Sequence, residues 1–219
     1  MAKIIIIGGG AAGMAAAVFL GEQNHQVHLF EKNEKLGKKL FITGKGRCNI
    51  TNSCDEETFF QSVVSNPKFL YSAFYGYTNR DVIAFFESLG LAVKEERGGR
   101  IFPVSDHSSD VIKVLEQRMK ALDVKIHLKS RVEKVLTENS LEGEEKIRGV
   151  LLENGAEILA DRVIIATGGC SYQATGSTGD GYTFARETNH KVTELRPALV
   201  PIETKEEYVK DKIGRASCR

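Results

Sequence analysis

A short apolar strand that runs straight into a glycine cluster constrains this chain more than any other feature. Lys3 to Ile7 reads as a buried parallel strand, and Gly8-Gly9-Gly10-Ala11-Ala12-Gly13 follows it in the pattern G-x-G-x-x-G. Gly8 suits a tight turn out of the strand, Gly10 lets backbone approach a pyrophosphate, and Gly13 lets a helix pack against the strand. The Ala-rich stretch from Ala11 to about Gln23 reads as that helix. Its N-terminus, at Ala11 and Ala12, would offer free N–H groups and a positive dipole to phosphates. Gln26 to Phe30 reads as a second strand, ending at Glu31. A carboxylate there can accept hydrogen bonds from the adenosine ribose and would repel a 2′-phosphate. The pattern predicts a dinucleotide-binding βαβ unit without separating NAD from FAD.

Beyond that unit the periodicity changes several times. Lys32 to Asn52 reads as a long loop rich in glycine and lysine, and loops of that length are commonly functional. Thr58 to about Gly90 is helical in pattern, with Val82, Phe85, Phe86 and Leu89 on one face and Gly90 as a C-terminal cap. Ser108 to Leu122 reads as an amphipathic helix with Ile112, Leu115, Met119 and Leu122 inward. Lys125 to Leu128 returns as a strand. Arg131 to Leu136, Lys146 to Glu153 and Ala156 to Leu159 read as an antiparallel meander turning at Asn154-Gly155. Arg162 to Ala166 reads as another buried strand, leading into Thr167-Gly168-Gly169. The order predicts an α/β fold: an open, Rossmann-like parallel sheet with a β-meander over one face.

Three further segments sharpen the cofactor. In two-dinucleotide-binding flavoproteins an apolar strand follows a meander and its end lies near the dinucleotide; here the strand ends in A-T-G-G, at Ala166 to Gly169. Thr175-Gly176-Ser177-Thr178-Gly179-Asp180-Gly181 makes a polar loop in which Asp180 reads as the N-cap of a short helix from Tyr182 to Thr188. The loop from Gly37 to Asn52 gathers Lys38, Lys39, Lys45 and Arg47, cations that suit a phosphate, a flavin edge or an anionic substrate. Simple solvated lysines remain the alternative.

GKKLFITGKGRCNITN, GGRIFPVSDHSSDV and ATGGCSYQATGSTGDGY together resemble the bile-acid-inducible N / ribosomal dihydrouridine synthase A family of flavoproteins, over about Lys3 to Lys210. The resemblance implies FAD, with the ADP half on Gly8, Gly10, Ala11, Ala12, Gly13 and Glu31. It implies further contacts from Lys32, Lys39, Gly44, Arg47 and Asp180, with Val132 meeting adenine through its backbone. Arg100-Ile101-Phe102-Pro103 would lie on the substrate side. Cys48 and Arg100 are the weak catalytic candidates. Cys48 is either a proton donor or a small packed residue. Cys48 and Cys54 stand one residue too far apart for the C-x-x-x-x-C pair of flavin disulfide reductases. The implied chemistry is hydride transfer from reduced flavin to an activated C=C bond, with NAD(P)H as a candidate reductant. The substrate would be a small molecule or ribosomal RNA, and a basic segment from Lys35 to Arg47 could meet RNA phosphates. A non-catalytic dinucleotide-binding protein is the third alternative. An NAD-only dehydrogenase fits the A-T-G-G and T-G-D-G elements poorly.

The expected layout is an FAD-binding domain over 1–190 with a helical insertion near 55–100, then the start of a truncated substrate domain over 191–212. Ile213 to Arg219 is expected to be a non-native tail translated from a sequencing adapter. The 219 residues carry a net charge of +1, so no global field points to nucleic acid or membrane. No apolar run reaches the roughly 18–20 residues of a membrane span, and MAKIIIIGGG does not read as a signal peptide. Four unevenly spaced cysteines suggest a reduced, cytoplasmic compartment. The histidines look scattered, and no cysteine–histidine spacing suggests a metal.

Overall fold

The computed structural model describes residues 1–139 and 145–197. Strand β1 (Lys3–Ile7) is the centre of a four-stranded sheet, with Ile4 to Ile7 all buried. An apolar run with no polar alternation is what a strand covered on both faces requires. Helix α1 (Ala11–Glu22) returns the chain to β2 (Gln26–Phe30), completing the expected βαβ unit. The sheet is parallel throughout, in the order β10 (Arg162–Ile165), β1, β2, β6 (Lys125–His127).

Side chains alternate across this sheet. Ile6, Val27 and Leu29 meet α1 and α6 (Ser108–Ala121) through Met14, Val18, Val111, Leu115 and Met119. Ile5, Ile7 and Phe30 face the other way, against Val132, Val135, Val150 and Leu152 of the meander and Phe184 of α7 (Asp180–Glu187). The meander is β7 (Val132–Asn139), β8 (Glu145–Leu152) and β9 (Glu157–Leu159). The molecule is therefore the α/β, Rossmann-like architecture expected, in three layers: helices, parallel sheet, meander.

Several elements differ from expectation. The loop after β2 contains helix α2 (Lys38–Ile42) and a tight 3-10 turn, Thr43–Gly46. The long helical stretch is cut into α3 (Glu56–Gln61), α4 (Tyr71–Gly76) and α5 (Asn79–Ser88). Asn66 at φ 50° before Pro67 interrupts it, and Thr78 starts α5 afresh with a capping box to Asp81. The insertion is also not purely helical. It carries an antiparallel sheet in the order β3 (Thr51–Asn52), β5 (Arg100–Pro103), β4 (Val93–Glu96). Strand β10 is half-buried rather than buried, because it lies at the end of the sheet and Ile165 is exposed.

The histidines are not all scattered. His28 and His127, neighbours on β2 and β6, stack at 5.3 Å between ring centroids with Nδ1 and Nε2 3.1 Å apart. The pairing of distant strands creates this contact, so no local spacing announces it. The expected domain start and tail beyond residue 197 lie outside the described residues.

Candidate functional site

The three fingerprint glycines have separable roles. Gly8 sits at φ +109°, and a Cβ there would lie 2.5 Å from the Ala166 carbonyl oxygen, so a side chain would push the β1 turn off the end of β10. A Cβ on Gly13 would lie 1.9 Å from the Gly8 carbonyl oxygen, so this glycine sets how closely α1 approaches the turn. A Cβ on Gly10 would meet nothing within 4 Å. Gly10 lines an open cleft, and what its missing side chain leaves room for is a ligand. The first turn of α1 has neither an acidic side chain nor a side-chain cap. Ala11 and Ala12 line the cleft, so the uncapped start of the helix brings the positive end of its dipole there.

Glu31 is buried and supports this turn. Its Oε2 accepts from the Gly9 N–H at 2.7 Å, while Oε1 accepts from the Asn33 N–H at 2.8 Å and the Asn33 Nδ2 at 2.7 Å. The carboxylate thus ties the phosphate turn to the end of β2, and it also lines the cleft beside Arg131 and Val132.

The loop from Thr175 to Gly181 is fastened across the same end. Lys32 Nζ donates to Thr178 Oγ1 at 2.6 Å and to Asp180 Oδ2 at 2.7 Å, and Asn33 Nδ2 donates to the Thr175 carbonyl at 3.3 Å. Asp180 is the first residue of α7 rather than its cap. Gly179, at φ +87°, holds the capping position and no side chain caps the helix. Burial works against the Asp180 charge, but hydrogen bonds from Lys32 and Thr178 and the Lys32 charge outweigh it and hold the carboxyl below its ordinary range. Thr167 and Gly168 reach the cleft under this loop, with Gly168 at φ +74° packed close to Ser177. Lys39 also lines the cleft, and its Nζ donates to Ser171 Oγ at 3.2 Å.

The cleft, of about 810 Å³, is lined by the phosphate turn and by an apolar arm in which Phe19 packs against Tyr77 and Phe85. Val82, Thr43, Cys48 and Asn49 also line it. Cys48 is buried at φ +60°, and burial pushes its thiol up, only partly offset by a hydrogen bond with Thr43. The sequence reading missed the arm. Helical spacing puts Phe85 on one face without saying what that face meets, and nothing in an Ala-rich helix singles out Phe19.

Four sequence-derived candidates do not line the cleft: Gly13, which packs under the turn, and Gly44, Arg47 and Arg100. Gly44 packs against Asn49 and Phe102. Arg47 turns to the insertion, where it pairs with Glu96 and Asp106 and stacks its guanidinium 4.3 Å from the Phe102 ring centroid. Arg100 Nε donates to the Arg97 carbonyl, and its guanidinium lies 3.9 Å from Glu96. Among the described residues no group of three or more His, Cys, Asp and Glu could hold a metal ion, and no helix is long and apolar enough to cross a membrane.

The model of the family described as HI0933-like protein Rossmann domain matches residues 2–207. The chain is 37% identical over 207 residues to the 3-dehydro-bile acid delta(4,6)-reductase of Clostridium scindens, covering 94% of this chain and 48% of that protein. It is 33% identical over 202 residues to the ribosomal RNA dihydrouridine synthase of Haemophilus influenzae, covering 92% and 49%. The chain thus spans about half the length of the curated relatives it matches. Among solved structures, the 3-ketosteroid-delta4-(5alpha)-dehydrogenase of Rhodococcus jostii RHA1 shares the fold, at a TM-score of 0.59 and 16% identity, covering 78% of this chain and 46% of that one.

Proposed function

The chain belongs to the HI0933-like Rossmann-domain family, and on that premise we propose that it forms the cofactor-binding part of an FAD-dependent oxidoreductase that reduces an activated C=C bond. One observation carries the reading. A single cleft is lined by Glu31 and Val132, by the uncapped start of α1, and by Cys48 and the apolar arm. That lining offers a carboxylate for a ribose, helix N–H groups for a pyrophosphate, and an apolar chamber for a ring system, the three kinds of surface FAD needs. The residues fit the group: Gly10 leaves the approach to the helix open, and 810 Å³ falls within the range of ligand pockets.

When bound, the flavin supplies hydride chemistry. The chain's own residues do the rest. Gly8 to Ala12 orient the phosphates, the fastened loop with Lys32 and Asp180 shields the nucleotide end, and the arm excludes water. Cys48, which lines the cleft and whose thiol is pushed up by burial, is the candidate proton donor. NAD(P)H is the candidate reductant. We take residues 1–190 as the cofactor domain, residues from 191 as the start of a substrate domain, and the compartment as cytoplasmic, in keeping with the unpaired Cys48, Cys54 and Cys170.

The likeness to the Clostridium scindens reductase supports a small-molecule substrate bearing an activated C=C bond. The likeness to the Haemophilus influenzae protein supports a second reading, in which uridine in ribosomal RNA is reduced. Anaerobic reduction of the flavin-loaded protein, followed by addition of a conjugated steroid enone or a ribosomal RNA fragment, tests both. Oxidised-flavin absorbance should return with the enone. Return with RNA alone selects the second reading, and failure to retain flavin rejects both.

A further inference from the structure

Arg47 and Cys48 are adjacent in the chain and face opposite ways. Cys48 lines the cleft, whereas the Arg47 side chain leaves it for the three-stranded sheet of the insertion. There Nε donates to Asp106 Oδ1 at 2.8 Å, the terminal nitrogens pair with Glu96 and Asp106, and Phe102 stacks beneath the guanidinium. Lys94 Nζ completes the group, donating to Asp106 Oδ2 at 2.6 Å. A fork held by two carboxylates and an aromatic face has little freedom to turn toward a phosphate.

The backbone around it is under constraint. Gly44, Lys45, Gly46 and Cys48 all have positive φ, at 56°, 58°, 85° and 60°. Lys45 and Cys48 are not glycines, and side-chain-bearing residues persist in that region only where their surroundings over-determine them. Few local bonds do so: the Cys48 N–H donates to the Thr43 carbonyl at 3.1 Å, and the Arg47 N–H reaches Gly44 at 3.3 Å. Immediately after Cys48 the chain joins the insertion sheet, where the Ile50 N–H donates to the Ile101 carbonyl at 2.8 Å.

We propose that Arg47 is a positioning residue: it clamps the Thr43–Ile50 turn to the insertion sheet through Glu96 and Asp106, and so holds Cys48 and Asn49 against the cleft. The inference rests on the reading of that cleft as the flavin site, but the clamp itself can be tested without flavin. The test uses Glu96→Gln and Asp106→Asn, which loosen the clamp and leave Arg47 in place, beside Arg47→Ala and Arg47→Lys. The alkylation rate of Cys48 by N-ethylmaleimide is followed by peptide mass spectrometry, and FAD affinity by fluorescence.

Each carboxylate variant should raise the Cys48 alkylation rate about fivefold, the scale of a partly exposed but networked ion pair, and weaken FAD by a similar factor. Arg47→Ala in the Glu96→Gln background should add less than it does alone, because the two act as one unit. Unchanged alkylation in both carboxylate variants would overturn the proposal. So would equal or tighter FAD binding in those variants when Arg47→Ala loses it, since a freed Arg47 would then be meeting the phosphates itself. Faster alkylation in a chain that binds no FAD in any form keeps the clamp and removes the flavin reading.

Discussion

The Gly9 N–H donates to Glu31 Oε2 across 2.7 Å, so the carboxylate expected to meet a ribose already organises the phosphate turn. Glu31→Gln keeps the size but turns one acceptor into a donor, facing either Gly9 or the two Asn33 N–H groups. FAD affinity should fall by about tenfold or more, since hydrogen bonds to a charged group contribute roughly 1.5–3 kcal/mol. Isothermal titration of the variant against the parent chain checks this, and unchanged affinity would mean that the turn needs no such support.

Gly10 and Gly13 should fail in different ways. Gly13→Ala places a methyl 1.9 Å from the Gly8 carbonyl oxygen, backbone against side chain with nothing flexible to yield. Its cost should be about 1–3 kcal/mol of stability in urea denaturation, as for other overpacking changes. Gly10→Ala points into open space at φ −80°. It should unfold at an unchanged urea midpoint yet lose FAD binding, because its methyl stands in the path of the pyrophosphate. Equal stability losses in the two variants would sink this separation of roles.

This distinction shows how far the sequence alone could be read. The βαβ start was legible to within a residue because an Ile run, three glycines and an Ala-rich helix all agree locally. The meander was legible from alternation and the Asn154-Gly155 turn. What escaped depends on partners far apart in the chain. Strand β3 is two residues long and exists only by pairing with β5. Arg47 reads as a phosphate ligand until Glu96 and Asp106 are seen beside it. Asp180 reads as a helix cap until Lys32 arrives from a residue 148 positions earlier.

The Lys32–Asp180 pair gives an acid-side prediction. The Asp180 carboxyl is held below its ordinary value of 3.8 in the fold. Its stabilising contribution is therefore complete above that value and lost as pH falls below it toward the folded value. Asp180→Asn should remove that part of the acid dependence while costing no more than about 1 kcal/mol at neutral pH, given that the pair is partly solvated. The parent and the variant would be compared by urea denaturation from pH 7 to pH 3. Parallel curves would refute the coupling.

The stacked histidines predict a second pH dependence. Burial, then the charges of Lys3, His127 and Lys125, push His28 below its ordinary value of 6.5, and burial does the same for His127. The unfolded chain takes up protons first as pH falls, so stability is complete above 6.5 and declines below it. His28→Phe should flatten the slope between pH 7 and pH 5. At pH 8 it removes the unpartnered Nε2 but also the Nδ1 contact with His127 Nε2, so it should cost about 1 kcal/mol there. Thermal unfolding across that range reads both effects, and an unaltered slope would place the proton uptake elsewhere.

The most direct test of the central claim is fluorescence titration of the 219-residue chain with FAD, repeated with ADP as competitor and with Gly10→Ala. The cleft described here predicts saturable quenching that ADP reverses, because the best-built part of the site is the ADP half, and that Gly10→Ala abolishes. Absence of saturable binding, or binding that neither ADP nor Gly10→Ala disturbs, would contradict it.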